Sequence, residues 1–185
     1  VGSAALVVVL SVFNGFTGKA MHTIDYVPQR GNLEDWGDGY ANRSDRYLAA
    51  VAYLDGIHPS VIMCRGYYTR AVWAAFDWDG KELKQRWLFD SNNPGNEGYA
   101  GQGNHNVRVG DVDGDGCDEI VYGQCTIDHD GNGLYTTGMN HGDAMHLTQF
   151  SLDLKGMQVW GCHENRRDGT SFRDAKTGEV IYQVK

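Results

Sequence analysis

Proline is scarce in this chain, with 3 among 185 residues, and so is positive charge, with 16 Lys and Arg against 24 Asp and Glu. The scarcity of proline excludes a stiff proline-rich segment and leaves most turns to the 25 glycines. The formal net charge of -8 and a pI near 5.2 exclude the basic stripe that replaces counterions along a phosphate backbone, so no nucleic acid is expected as partner. Four cysteines contain no CxxC spacing, which removes a thiolate zinc ribbon and leaves their disulfide state open. Long apolar runs are missing too. "VGSAALVVVLSVF" has no basic flank and no initiating Met, and it falls short of the roughly 20 apolar residues that span a bilayer, so no membrane partner is expected. Its second half matches a repeat, so residues 10–20 read as folded strand and residues 1–9 stay unassigned.

What is present is the material of an all-β protein: 41% hydrophobic residues, 10 Tyr, 5 Trp and abundant glycine. "VFNGFTGKAMHTIDY", "AFDWDGKELKQRWLFD" and "SFRDAKTGEVIYQVK" share one hairpin pattern. "LAAVAYLDGIHPSVIMCRG", "VRVGDVDGDGCDEIVYGQC" and "LTQFSLDLKGMQVWGCHE" share another, turning at Gly56, Gly116 and Gly156. The second kind precedes the first, except in the middle copy, where "TIDHDGNGLYTTG" stands in place of a regular outer pair. Four strands per unit of roughly 40 to 50 residues predict β-propeller blades. About three blades over residues 10–185, preceded by an outer half-blade, form part of a ring whose remaining blades are expected from the rest of the parent chain.

The stretch "NHNVRVGDVDGDGCDEIVYG" crowds carboxylates that would repel one another unless a hard cation sat among them. Asp111, Asp113, Asp115 and Glu119 offer carboxylates, Cys117 its carbonyl, and Gly114 and Gly116 the tight turn of a strand-to-strand calcium loop. Asp128 and Asp130 in "DHDGN" repeat the alternate spacing and suggest another ion. In a blade such a turn lies on the face opposite the loops that lead into each blade, which marks it as a structural clamp. The leading loops are richer in chemistry. His105, His141, Asp143 and Glu164 come from neighbouring blades to one face and make a divalent-metal set. Beside them Arg65, Tyr67, Tyr68 and Arg70 offer aromatic faces and forked donors to a sugar carboxylate, although tyrosines as core and arginines as solvated rim is the competing reading. Cys64, Cys125 and Cys162 read as buried thiols late in the second strands.

From about residue 10 onward the chain resembles the rhamnogalacturonan lyases of polysaccharide lyase family eleven. The likeness rests on "DYVPQRGNLEDWGDGYANRSDRYLAAVAYLDG", "RGYYTR", "FDSN", "YAGQGNH", "DVDGDGCDEIVYG", "GLYTTG", "HGDAMH" and "RDAKTGEV", in this order. It implies an eight-bladed, calcium-rich propeller that cuts the rhamnose–galacturonate backbone of pectin by β-elimination, and hence an extracellular or secreted protein with a pectic polysaccharide as partner. It also implies a cleft calcium on His105, His141, Asp143 and Glu164, a loop calcium on the aspartate run, and a basic residue beyond Lys185 as the proton acceptor. No residue of this chain is assigned as the catalytic base. A non-enzymatic calcium-binding propeller for adhesion or carbohydrate binding is the alternative, because aspartate loops of this kind also occur in integrin-like blades.

Overall fold

The structure is a computed structural model that describes residues 7–165 and 167–185. It is all β, with four antiparallel sheets and no α-helix among the described residues. Strands β1 (Val9–Phe13) and β2 (Ala20–Asp25) form a hairpin. A four-stranded sheet follows in chain order, with β3 (Tyr47–Ala52), β4 (Ser60–Arg65), β5 (Val72–Trp78) and β6 (Leu83–Asp90). The next sheet holds β7 (Arg108–Gly110), β8 (Glu119–Tyr122), β9 (Cys125–Ile127) and β10 (Gly133–Thr136). The last holds β11 (Met145–Thr148), β12 (Gln158–Cys162), β13 (Thr170–Asp174) and β14 (Val180–Val184). All six expected hairpins form. The stretch "TIDHDGNGLYTTG" also pairs, as the short β9–β10 hairpin with a register shift between Gly133 and Tyr135. Residues 1–6 of the unassigned N-terminal segment lie outside the described residues, and β1 begins at Val9.

Successive sheets lie face to face, so the middle strands are apolar on both sides. In β5, Trp73 and Ala75 point toward the third sheet and join Ile120, Tyr122 and Ile127, whereas Ala74 and Phe76 point back toward Leu10, Val12 and Ile24 of the first hairpin. The two-residue period of a strand makes this double use possible. Trp73 meets Tyr122 edge-on at 4.9 Å. Val121 packs with Met145 and Val159 between the third and fourth sheets. All four cysteines are free. Cys64 and Cys125 are buried as expected, but Cys125 opens the third strand of its sheet instead of closing the second, and Cys162 is only partly buried.

Two ends of the stack matter for function. At one, the β3–β4 turn abuts the aspartate loop between β7 and β8. Tyr53 N donates to Asp118 Oδ2 at 2.7 Å, and Asp118 N returns a bond to the Tyr53 carbonyl at 3.1 Å. Gly56 is required there, because it has φ +73° and a Cβ would come within 2.5 Å of the Gly116 carbonyl oxygen. Lys176, in the β13–β14 turn, donates from Nζ to the Asp113 carbonyl at 3.0 Å. At the other end the leading loops of the third and fourth sheets touch through a parallel bridge between Asn104 and Gly142.

Candidate functional site

On the leading-loop face, the bridge between Asn104 and Gly142 sets two histidines against each other. The buried Asn104 side chain accepts from Gly142 N at 3.0 Å, which fixes the loop carrying His141. His141 Nδ1 donates to the Gly103 carbonyl at 2.5 Å, so its Nε2 is left with a free lone pair. That Nε2 lies 3.3 Å from His105 Nε2 and 3.4 Å from Glu164 Oε1. The ligating atoms of His105, His141 and Glu164 all lie within 4.8 Å of one another. Burial lowers the pKa of His141, against the opposing pull of the Gly103 bond and Glu164, and so favours the neutral imidazole that a metal needs. Asp143 stands farther out, with Oδ1 3.9 Å from His105 Nε2 and its side chain exposed. Two imidazole nitrogens and a carboxylate, with a second carboxylate at the rim, suit a divalent cation.

The tyrosines support this cluster. Tyr67 is buried, its Oη lies 3.0 Å from His105 Nδ1, and its ring stacks parallel on His141 at 5.3 Å. Tyr68 sits 4.4 Å from the His141 ring and lies under the Arg43 guanidinium at 4.3 Å. A groove of about 630 Å³ runs beside them, lined by Trp36, Tyr68, Arg70, Asn92, Asn140 and His141. Arg70 is clamped by both oxygens of Asp90, at 3.1 and 2.5 Å, and covers the Trp36 ring at 4.5 Å. Trp36 and Arg43 lie in "WGDGYANRSDR", the loop that leads into β3, and nothing in its spacing distinguishes them from ordinary loop residues.

Arg65, expected beside Tyr67 and Tyr68 on the substrate face, is instead wholly buried. Its Nε donates to the Ser44 carbonyl, Nη1 to the Pro28 carbonyl and Nη2 to Asp45, at 2.8, 3.0 and 3.2 Å. A guanidinium spent in this way fastens the loop over residues 28–45 to the end of β4 and presents nothing to a sugar. Arg65→Ala is therefore expected to lower unfolding stability by about 3 kcal/mol, since it strips partners from buried acceptors. Denaturant titration measures the loss, and an unchanged midpoint would contradict the assignment.

At the opposite end the aspartate loop is already curled. Asp111, Asp113 and Asp115 bring carboxylate oxygens within 4.8 Å of one another. Backbone N–H groups hold them, with Gly114 N donating to Asp111 at 2.7 Å and Cys117 N to Asp115 at 2.8 Å. Glu119 is fully buried. Its Oε2 accepts from Val112 N at 2.7 Å, and its Oε1 has no hydrogen-bond partner. Burial, with added repulsion from Asp113, Asp128 and Asp115, pushes its carboxyl up to about 7. A buried, unpartnered carboxylate oxygen among further carboxylates is the donor set a hard cation would take, and all-oxygen donors are of the kind calcium prefers. The second loop behaves differently from its sequence spacing. Asp130 turns to its own Asn132, accepting at 2.9 and 2.8 Å, and belongs to none of the metal-capable clusters among the described residues. Asp128 instead joins Glu119 through His129, a residue that the alternate-aspartate pattern had passed over.

Residues 7–185 match the sequence family described as "Rhamnogalacturonan lyase family 11, C-terminal domain". The chain belongs to that family. It is 58% identical over 177 residues to the rhamnogalacturonan exolyase YesX of Bacillus subtilis (strain 168), a match covering 95% of this chain and 29% of that protein. It is 50% identical over 177 residues to the rhamnogalacturonan endolyase YesW of the same organism, covering 95% of this chain and 28% of that protein. Among solved structures, exotype rhamnogalacturonan lyase YesX superposes with a TM-score of 0.94 at 57% identity, over 95% of this chain and 30% of that one. The Bacillus licheniformis rhamnogalacturonan lyase PL11 does so with a TM-score of 0.94 at 56% identity, with the same coverage. This family 11 domain thus spans less than a third of the length of the relatives it matches.

Proposed function

We propose that this domain carries part of the cleft of a polysaccharide lyase that cuts the rhamnogalacturonan backbone of pectin by β-elimination at galacturonate. The observation that carries the reading is the convergence of His105, His141 and Glu164 beside an aromatic groove, in a chain of the family 11 lyases. On this reading His105, His141, Asp143 and Glu164 hold a divalent cation, taken to be calcium. Imidazole is an unusual partner for so hard an ion, so further oxygen donors would be needed beside the two histidines. A calcium ion held there would supply positive charge to stabilise the uronate carboxylate and the enolate-like charge that grows as the C5 proton leaves. Tyr67 orients His105 through Nδ1, and the Gly103 carbonyl holds His141 with Nε2 facing the cluster. Tyr68 and Arg70 offer a flat wall and a cation to the sugar chain, and Asp90 keeps the Arg70 fork oriented. Local positive charge is needed because an acidic protein meets an acidic polymer.

The same proposal takes the three four-stranded sheets as propeller blades, with the β1–β2 hairpin as an outer half-blade and the remaining blades supplied by the parent chain. The aspartate loop then holds a structural calcium at the opposite end, and the enzyme works outside the cell, where pectin is found. The test is the rise in ultraviolet absorbance from the unsaturated uronate, followed with the intact parent enzyme on rhamnogalacturonan and on plain homogalacturonan. Absorbing product on rhamnogalacturonan that disappears with a chelator and returns with calcium is expected. A parent enzyme that forms no such product on either polymer removes the lyase reading.

A further inference from the structure

The segment over residues 102–106, "QGNHN", carries side-chain amides at alternate positions, and each of them binds the backbone of the neighbouring leading loop. Gln102 Oε1 accepts from Asn140 N at 3.1 Å, and Gln102 Nε2 lies 3.4 Å from Asn140 Oδ1. Asn104 Oδ1 accepts from Gly142 N at 3.0 Å. Asn106 grips Met145 twice, accepting from its N–H at 3.2 Å and donating to its carbonyl at 2.8 Å. The residues between these rungs are the ones that face the cluster. On one segment they are Gly103, whose carbonyl holds His141 Nδ1, and His105; on the other they are His141 and Asp143. Around the Asn104–Gly142 bridge, alternate residues point to opposite sides as in a strand, so one side is spent on the ladder and the other carries the chemistry. Asn140 has φ +62°, in the left-handed region that asparagine tolerates, and the Gln102 rung holds it there beside His141. A Cβ at Gly103 would strike Tyr67 and the Tyr122 ring, so the segment lies flush on the tyrosines.

We propose that Gln102, Asn104 and Asn106 are positioning residues for the cation expected at His105, His141, Asp143 and Glu164, and that their ladder sets the gap between the two imidazoles before an ion arrives. It rests on the proposal that this cluster holds the working cation. Amides suit the task because they are uncharged hydrogen-bonding groups, able to pair with a peptide unit as another peptide would while adding no charge beside the ion. A carboxylate in their place would compete for the cation, and an apolar residue would leave peptide groups unpaired. With the loop over residues 140–145 tied down in this way, the ordering of His141 and Asp143 is completed on folding and is not charged against cation binding. Losing a rung loosens that loop and weakens cation binding, by about 10- to 100-fold for supports of this kind. Asn104 spends only its oxygen, its buried Nδ2 having no partner, so the outer rungs give the cleaner test.

The experiment uses the metal-stripped intact parent enzyme, with manganese as a stand-in for calcium. Imidazole nitrogen bound to manganese modulates its pulsed electron spin echo, whereas an all-oxygen site such as the aspartate loop gives no such modulation. Wild type should show the nitrogen modulation, and His105→Gln together with His141→Gln should abolish it. Gln102→Met and Asn106→Leu keep side-chain size and remove a rung. Each should raise the manganese concentration that half-develops the modulation at least tenfold, and raise the calcium needed for half-maximal rate in the ultraviolet assay by the same factor. Arg65→Ala is the control for a loss of structure alone, lowering the melting temperature with modulation and calcium requirement unchanged. Ladder variants that behave like Arg65→Ala overturn the positioning role and leave the cluster in place. Modulation that is absent from wild type, or that survives the loss of both histidines, removes the cluster reading itself and the ladder with it. If neither ladder variant folds, Asn106→Asp takes their place, since it still accepts from Met145 N but cannot donate to the Met145 carbonyl. An unchanged manganese requirement in that variant overturns the ladder equally.

Discussion

His141→Gln in the intact parent enzyme is expected to lower turnover on rhamnogalacturonan by about 10²- to 10³-fold, the usual cost of losing one preorganised group at developing charge. His141 is the hub of the cluster, because its Nε2 faces both His105 Nε2 and Glu164 Oε1 while its Nδ1 is fixed by the Gly103 carbonyl. Glutamine keeps the bulk between Tyr67 and Tyr68 and offers no imidazole nitrogen. Asp143→Ala should be milder, about 10-fold, since Asp143 is exposed and 3.9 Å from its nearest partner. Initial rates of absorbance increase at saturating substrate measure both effects, with circular dichroism confirming folding. Wild-type rates from a folded His141→Gln enzyme would remove the histidine cluster from the reaction. A larger loss for Asp143→Ala than for His141→Gln would shift the metal toward the rim and away from the buried pair.

The contrast between these two residues marks where sequence reading stops. Alternating apolar residues around glycine turns made all six hairpins legible, because strand periodicity and turn chemistry are local properties. Topology then made the two faces legible too, since the turns of a meander alternate between ends. The depth of a side chain is not local. Arg65 ends β4 in "RGYYTR" and looks like its half-buried neighbour Arg70, but packing of the segment over residues 28–45 buries it completely. His129 was hidden for the same reason. It gains meaning only because the β9–β10 turn folds against a loop formed by earlier strands, where Glu119 has an oxygen without a partner. The regular spacing of Asp128 and Asp130 pointed to a separate nest, whereas the backbone turns Asp130 back toward Asn132.

Calcium and Glu119→Gln should change places as stabilisers with conditions. In the metal-free protein the buried Glu119 carboxyl titrates near 7, up from an ordinary value of 4.5, so the folded state holds a proton that the unfolded state releases between those values. Its contribution to stability therefore falls as pH rises through that window, and the cost is complete above it. Asp55 and Asp79 are held below the usual carboxylate range by hydrogen bonds, so their stabilising contribution is lost only at lower pH, outside the window. His141 and His163, lowered chiefly by burial, act within it and in the opposite direction, gaining stability as pH rises. Comparing wild type with Glu119→Gln cancels those shared terms. With chelator at about pH 8, Glu119→Gln should melt above wild type, and by about pH 5 the gap should close. Saturating calcium should reverse the order at about pH 8, because it replaces the proton on wild-type Glu119 and finds a weaker site in the variant. A hundredfold excess over the dissociation constant adds about 2.7 kcal/mol, or roughly 5–10 °C for a chain of this size. Thermal scans in the four combinations of protein and metal measure it. A wild type that outlasts Glu119→Gln in chelator at both pH values would show that the buried carboxylate is satisfied without a cation.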